Sequence, residues 1–472
     1  MNTKTRLLRI AFFVCFTAYI SACATDPATT PTTDKILSDT LPTSTQVKEN
    51  WGDINYSSEV IDGWLGTFND PILEDLVAEV LANNLNLQAA AAKVDASSAL
   101  AQQASSALKP SIGLSGEKSA VGAEGLPSNL NSSNAFLGAS WELDIWGRIR
   151  SGAAAAEALN RSVQADFDYA RQSLAALTAK SWFLATQVRL QQKLAQESID
   201  IFSQLVTLVT ARQEVGRSSP QDLSQAKARL ANANANKNLI DSSFLSIVRS
   251  MEVLLGRYPS AELAVNDDYI AQLIAIPVGV PAEVLERRPD LIAAESRVIA
   301  AFNLTEQARA ARLPRINLTA AVGAVDNGLT DILNTSNPIT SLGANLFAPL
   351  YTGGALKAAV DEADANQQAA MAVYTQSVLS AFQEIETALT NEKLYQKRED
   401  YLNEEVAHNQ EAYRITEAQY SVGRVDLLSL LQNQAGLLSA RSALIAAKNE
   451  RLSQRVTLHL ALGGSFEVEE TN

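Results

Sequence analysis

The chain is poor in the side chains that carry out chemistry. Its 472 residues include two His and two Cys. So few ligands exclude a His/Cys metal centre, a Cys/His nucleophile and a disulfide framework. His408 stands among polar residues and reads as solvated or pore-facing, while His459 lies on an apolar stripe and reads as core. Glu384 and Glu386 are two apart, and Glu404 and Glu405 are adjacent, so neither pair stacks on one helix face. No enzyme, metal or cofactor is expected. Beyond the N-terminus there is no run of 18 apolar residues, so no helix spans a bilayer and only a β-barrel could. Basic residues are in deficit: the net charge of −14 excludes a nucleic-acid surface. What the chain does have is 47% hydrophobic residues, enough for a large core, which excludes a disordered chain.

The first 22 residues read as an address. Lys4, Arg6 and Arg9 precede an apolar run from Ile10 to Ile20, too short to cross a membrane. Cys15 leaves with this signal. Ile20-Ser21-Ala22-Cys23 resembles a bacterial lipobox, which implies acylation of Cys23 as the mature N-terminus. In bacterial lipoproteins an Asp after the Cys retains the protein at the inner membrane, so Ala24 implies the outer one. Loss of residues 1–22 takes the charge to −17. Residues 23–47, rich in Thr, Ser, Pro and Asp, read as an extended lipidated tether.

The remainder is written twice. Asn86-Leu87-Gln88-Ala89-Ala90 returns 204 residues later as Asp290-Leu291-Ile292-Ala293-Ala294, and Pro110 returns as Pro314. Leu143, Gly147, Ile149 and Arg150 return 207 residues later as Leu350, Gly354, Leu356 and Lys357. Val215-Gly216-Arg217 returns as Val422-Gly423-Arg424. The repeats span 48–256 and 257–472. Each opens with a helix ended by proline, with Asn86 and Asp290 as expected N-caps. Alternating segments follow, at about 110–123 and 134–145, then 315–325 and 339–350. Ile316, Leu318, Ala320, Val322 and Ala324 share one face, and Asn317, Thr319, Ala321 and Gly323 the other. Next come runs without Gly or Pro, from Ala153 to Val215 and from Ala355 to Val422, rich in strong helix formers. Each predicts one very long helix, a turn at glycine, and a return helix. The fold class is mainly α with a β contribution. Four strands cannot close a barrel, for which about eight is the minimum, so membrane insertion requires several copies.

Phe68-Asn69-Asp70-Pro71, Asn84-Leu85-Asn86-Leu87, Trp141-Glu142-Leu143-Asp144-Ile145-Trp146-Gly147-Arg148 and Leu285-Glu286-Arg287-Arg288-Pro289-Asp290-Leu291 occur in that order. On a duplicated unit behind a lipobox they resemble the TolC-type outer-membrane factor family, in its lipoprotein branch. The resemblance covers about residues 63–463. It implies a homotrimer whose twelve-stranded outer-membrane barrel stands on a twelve-helix periplasmic tube. The implied partners are a periplasmic adaptor protein and an inner-membrane efflux pump, and no nucleic acid. A waist domain would take residues 48–83, 257–288 and the C-terminal tail.

The resemblance further implies that the adaptor docks on the helix turns. Val215, Gly216, Arg217, Ser218 and Ser219, with Val422, Gly423 and Arg424, match that pattern. It implies a periplasmic gate at Asp222, Gln225, Asp426, Ser429 and Gln432, less acidic than in relatives with Asp at the places of Ser429 or Gln432. Asp222 and Asp426 also fit as plain helix N-terminal charges. The alternatives are a coiled-coil structural lipoprotein, which leaves the duplicated hairpins unexplained, and an adaptor protein, which would carry one helical hairpin rather than two.

Overall fold

The computed structural model describes residues 32–41, 51, 62–119, 132–269, 281–326 and 338–467. The signal, Cys23 and most of both strand-to-strand loops lie outside them. Fourteen elements follow in order: α1 (Thr33–Thr40), a 3-10 turn (Trp64–Phe68), α2 (Pro71–Asn83), α3 (Leu85–Ser106), β1 (Ser111–Ser119), β2 (Ser132–Leu143), α4 (Arg148–Glu214) and α5 (Pro220–Leu254), then α6 (Pro281–Arg287), α7 (Pro289–Ala310), β3 (Arg315–Asp326), β4 (Ile339–Phe347), α8 (Ala355–Ser421) and α9 (Leu427–Ala461). The duplication is visible in the lengths. α3 and α7 have 22 residues each, α4 and α8 have 67, and α5 and α9 have 35. At 1.5 Å per residue the longest are about 100 Å.

The chain forms two compact units. One holds Ala99–Leu159 and Glu295–Ala372 with the N-terminal segment. Its sheet is antiparallel, in the order β1-β2-β3-β4. Register puts Leu114 opposite Leu137, Leu137 opposite Val322, and Ala320 opposite Leu342. Because side chains alternate, those residues share one face with Ile112, Ala139, Trp141, Ile316, Leu318 and Leu346. Gly323 pairs with Phe136, and a Cβ there would meet the Ala135 carbonyl at 2.1 Å, so only glycine fits.

The motif Trp141–Arg148 is the strand-to-helix corner. The Asp144 carboxylate accepts from the Ile149 and Arg150 N–H groups, both at 2.9 Å, and so caps α4. Glu142 holds Arg148 at 2.9 Å. The indoles of Trp141 and Trp146 donate to the Leu108 and Pro314 carbonyls, which lie in the short connections between helix and hairpin in each half. Gly147 turns the chain with φ +77°.

The other unit holds Pro42–Ser98, Asn160–Ala294 and Val373–Asn472. Its main core gathers Trp64, Phe68, Leu73, Val77, Ala179, Trp182, Phe183, Met251 and Val456. Buried Asp70 knits it together. One oxygen caps α2 through the Ile72 and Leu73 N–H groups, and the other accepts from the Trp182 indole at 2.7 Å.

Three expectations are corrected. The N-cap of α3 is Asn84, not Asn86: its Oδ1 accepts from the N–H groups of Asn86 and Leu87 at 3.0 and 3.1 Å. The Asn84 Nδ2 donates to the Leu254 carbonyl. Asp290 likewise sits inside the first turn of α7 and binds Arg288 rather than the helix backbone. The tether is not extended throughout, because α1 buries Ile36 and Leu37. Its polar composition hid a single apolar pair with polar neighbours on both sides.

Candidate functional site

Two features stand apart from the cores. The first is the apolar face of the sheet. Ile112, Leu114, Leu342 and Leu346 are exposed by 72, 80, 89 and 61%. Among the described residues β1 and β4 each have one paired side only, so both outer edges are open. A broad apolar face with open edges costs heavily in water and suits hydrocarbon, provided further strands satisfy the edges. No described helix is long and apolar enough to cross a membrane.

The second feature is the pair of turns joining α4 to α5 and α8 to α9. Both glycines take positive φ, +71° at Gly216 and +77° at Gly423. The Arg217 N–H donates to the Arg212 carbonyl at 2.7 Å, and the Arg424 N–H to the Gln419 carbonyl at 2.9 Å. These are matching helix terminators. Val215 and Val422 are each 69% exposed.

The helices that follow start on the same two residue types in exchanged positions, the first with a reciprocal capping box and the second with a single cap bond. In the first turn Ser219 is the N-cap. Its Oγ accepts from the Asp222 N–H at 3.1 Å, while the Asp222 carboxylate accepts from the Ser219 N–H at 2.9 Å. In the second, Asp426 is the N-cap and accepts from the Ser429 N–H at 2.8 Å. The Ser429 hydroxyl and then its N–H hold the Asp426 carboxyl below the usual carboxylate range. At the common offset of 207, Ser219 matches Asp426 and Asp222 matches Ser429. The two acids named for the gate are therefore at non-equivalent positions, three residues apart along their helices. Gln225 is half-buried and Gln432 is exposed.

Arg212 was not singled out by the sequence. It reaches from α4 to the end of α8, donating to the Tyr420 and Ser421 carbonyls at 3.0 and 2.7 Å. Its guanidinium also lies 4.4 Å from the centre of the Tyr420 ring. A cation on the last carbonyls of a helix opposes the negative end of its dipole. At the same offset its counterpart is Gln419, so the tie runs from the first half to the second only.

Residues 76–257 and 280–464 match the family described as outer membrane efflux protein. The chain is 30% identical to the probable efflux pump outer membrane protein TtgC of Pseudomonas putida, over 86% of this chain and 85% of that protein. It is 29% identical to the pyoverdine export outer membrane protein OpmQ of the same species, over 86% of this chain and 88% of that one. The solved open state of the MtrE outer membrane channel of Neisseria gonorrhoeae superposes with a TM-score of 0.83 at 27% identity, covering 90% of this chain and 97% of that one. The fold is that of an outer-membrane channel with a helical periplasmic part. The chain belongs to the outer membrane efflux protein family, and it is an outer-membrane efflux protein.

Proposed function

We propose that three copies of this chain form an outer-membrane conduit that passes small molecules out of the cell, without chemistry of its own. The apolar sheet face with its two open edges carries this reading: three copies of a four-stranded sheet make twelve strands, enough to close a barrel. The helical hairpins form the periplasmic tube. Their turns, at Val215, Gly216, Arg217, Ser218 and Ser219 and at Val422, Gly423 and Arg424, dock a periplasmic adaptor protein. That adaptor joins an inner-membrane pump. Cys23 carries the acyl anchor.

Asp222, Gln225, Asp426, Ser429 and Gln432 line the closed periplasmic end. Across three copies each acid makes a ring of three; Asp222 reaches back to the Ser219 N–H and Asp426 forward to the Ser429 N–H, so the two rings of carboxylates lie closer in level than the three residues that separate them. Each ring selects by charge as well as size.

The test is assembly and transport together. Solubilised membranes should yield a trimer that resists sodium dodecyl sulfate until heated, and deletion of the gene should sensitise cells to pump substrates. A monomeric, purely helical protein in detergent would instead favour the structural lipoprotein. For the anchor, palmitate label persisting on Cys23→Ser protein would refute acylation there. For the gate, Asp222→Asn with Asp426→Asn should lower cation selectivity in planar bilayers; unchanged selectivity would place both acids outside the lumen.

A further inference from the structure

The docking reading above leaves open what the adaptor must offer, and the two turns constrain it. Val-Gly-Arg is the same in both, while the next residues diverge into Ser218-Ser219-Pro220-Gln221 and Val425-Asp426-Leu427-Leu428. The glycine is required for φ. The arginine is not required for the turn, because only its backbone N–H closes the helix end, and every residue but proline has one.

The dipole does not explain Arg424 either, since Arg212 already sits on the last carbonyls of α8. Nor are the side chains used internally. Arg217 and Arg424 are exposed, and neither is in an ion pair among the described residues. The acids next to them are occupied with caps: Asp222 on the Ser219 N–H, Asp426 on the Ser429 N–H. Glu214, in the last turn of α4, has Ser421 as its counterpart, so an internal acid is not common to both turns. Around the cation, each valine is exposed, and nothing lies within 4 Å of the space beside Gly216 or Gly423.

We propose that each hairpin turn is a receptor for an acidic loop. The partner's tip places an Asp or Glu carboxylate on Arg217 or Arg424 and an apolar residue over Val215 or Val422, where the glycine leaves the backbone open to close approach. A guanidinium favours this pairing, since its fork holds a carboxylate through two hydrogen bonds. The partner is a periplasmic protein, the adaptor of the proposed function. A turn carrying cations on a chain of net charge −14 sets where that partner can approach, as acidic loops are repelled elsewhere.

Charge variants in the full-length protein, expressed in its own host, test this. Arg217→Glu with Arg424→Glu should lower efflux at least about tenfold, because like charges would face each other. Arg217→Lys with Arg424→Lys should keep most of it, and the Gln pair should fall between. A photo-cross-linker at Val215 should give a cross-linked peptide, identified by mass spectrometry, with Asp or Glu within a few residues of the link. Changing that acid to Lys should restore efflux to the Glu pair. Wild-type efflux in the Gln pair, a cross-linked peptide without acids, or no rescue would each overturn the inference. The underlying docking reading fails separately: Gly216→Trp with Gly423→Trp would then leave efflux intact. If the Trp pair abolishes efflux while the Gln pair does not, docking stands and the acidic partner falls.

Discussion

The two halves meet the same packing problem at their return helices and solve it with different side chains. At the end of α5, Asn84 caps α3 and donates to the Leu254 carbonyl at 2.9 Å. At the end of α9, the matching residue is Arg288, which donates to the Ala461 carbonyl at 3.2 Å and is neutralised by Asp290 and Glu384, both at 2.8 Å. Gly256 and Gly463 turn away in the same manner, against Asn83 and Arg287.

The buried residue in the last turn differs as well. In the first half it is Glu252, which accepts from the N–H groups of Ala261, Glu262 and Leu263. In the second it is His459, stacked on Trp64 with centroids 5.7 Å apart. Position in a duplicated fold thus fixes the geometry of a joint, while the chemistry that fills it is free to change. One joint became a neutral amide with a carboxylate; the other became a charge cluster with a neutral imidazole.

The largest expected contrast is at the first pair. Arg288→Ala removes a buried guanidinium (4% exposed) with its bonds to Asp290, Glu384 and the Ala461 carbonyl, and should destabilise by about 2–3 kcal/mol, the carboxylates left behind being open to water. Asn84→Ala removes a cap and one further hydrogen bond, and should cost about 1–2 kcal/mol. Equal losses in urea melting of the two variants would break the claim that the joints differ in kind.

Acid should separate the second pair. Burial, reinforced by Arg455, pushes the His459 imidazole down to about 3. The unfolded chain therefore binds the proton first, and stability present above pH 6.5 falls by up to about 1.4 kcal/mol per unit below it. Burial would raise the Glu252 carboxyl, yet three N–H donors outweigh it and hold it below its ordinary value of 4.5. Its contribution is thus lost only below about pH 4.5. Thermal melting followed by tryptophan fluorescence from pH 7 to 5 should show a slope that His459→Gln flattens. Glu252→Gln should lower the whole curve and leave the slope. A slope unchanged by His459→Gln would place the sensitive group elsewhere.

The smallest effect belongs to the turns. Installing the second cap in the first, by Ser219→Asp with Asp222→Ser, should cost only about 0.5 kcal/mol, since it keeps the bond to the N3 N–H and gives up the one to the N-cap N–H. Asp222→Ala alone should cost about 1 kcal/mol, seen as faster amide exchange in the first turn of α5. A double change as damaging as the single one would mean that the second cap does not work in the first turn.

Much of this was legible in the sequence. Gly and Pro are absent between Gly152 and Gly216 and between Gly354 and Gly423, so the long helices announced themselves. So did the period-two face from Ile316 to Ala324. The caps were only half visible. Asn83-Asn84-Leu85-Asn86 offers three candidates, and the choice of Asn84 depends on the Leu254 carbonyl, 170 residues away. Arg212 was invisible because its partners are main-chain carbonyls, which carry no sequence signature. The exchanged cap was present as Ser-x-x-Asp and Asp-x-x-Ser, but it emerges only when the halves are aligned on Val-Gly-Arg.

The open sheet edges also set a rule of timing. β1 and β4 each expose nine residues of backbone on one side, roughly four outward N–H and C=O pairs apiece by strand alternation. In lipid each unmet group costs several kcal/mol, so a solitary chain has no stable way to enter. In the proposed trimer, insertion would wait on encounter with other copies, which would make its rate climb steeply with the concentration of newly exported chains. Below that concentration, nascent subunits would linger outside the bilayer with open edges. Cellular abundance of the finished assembly would therefore respond to expression as a threshold rather than in proportion.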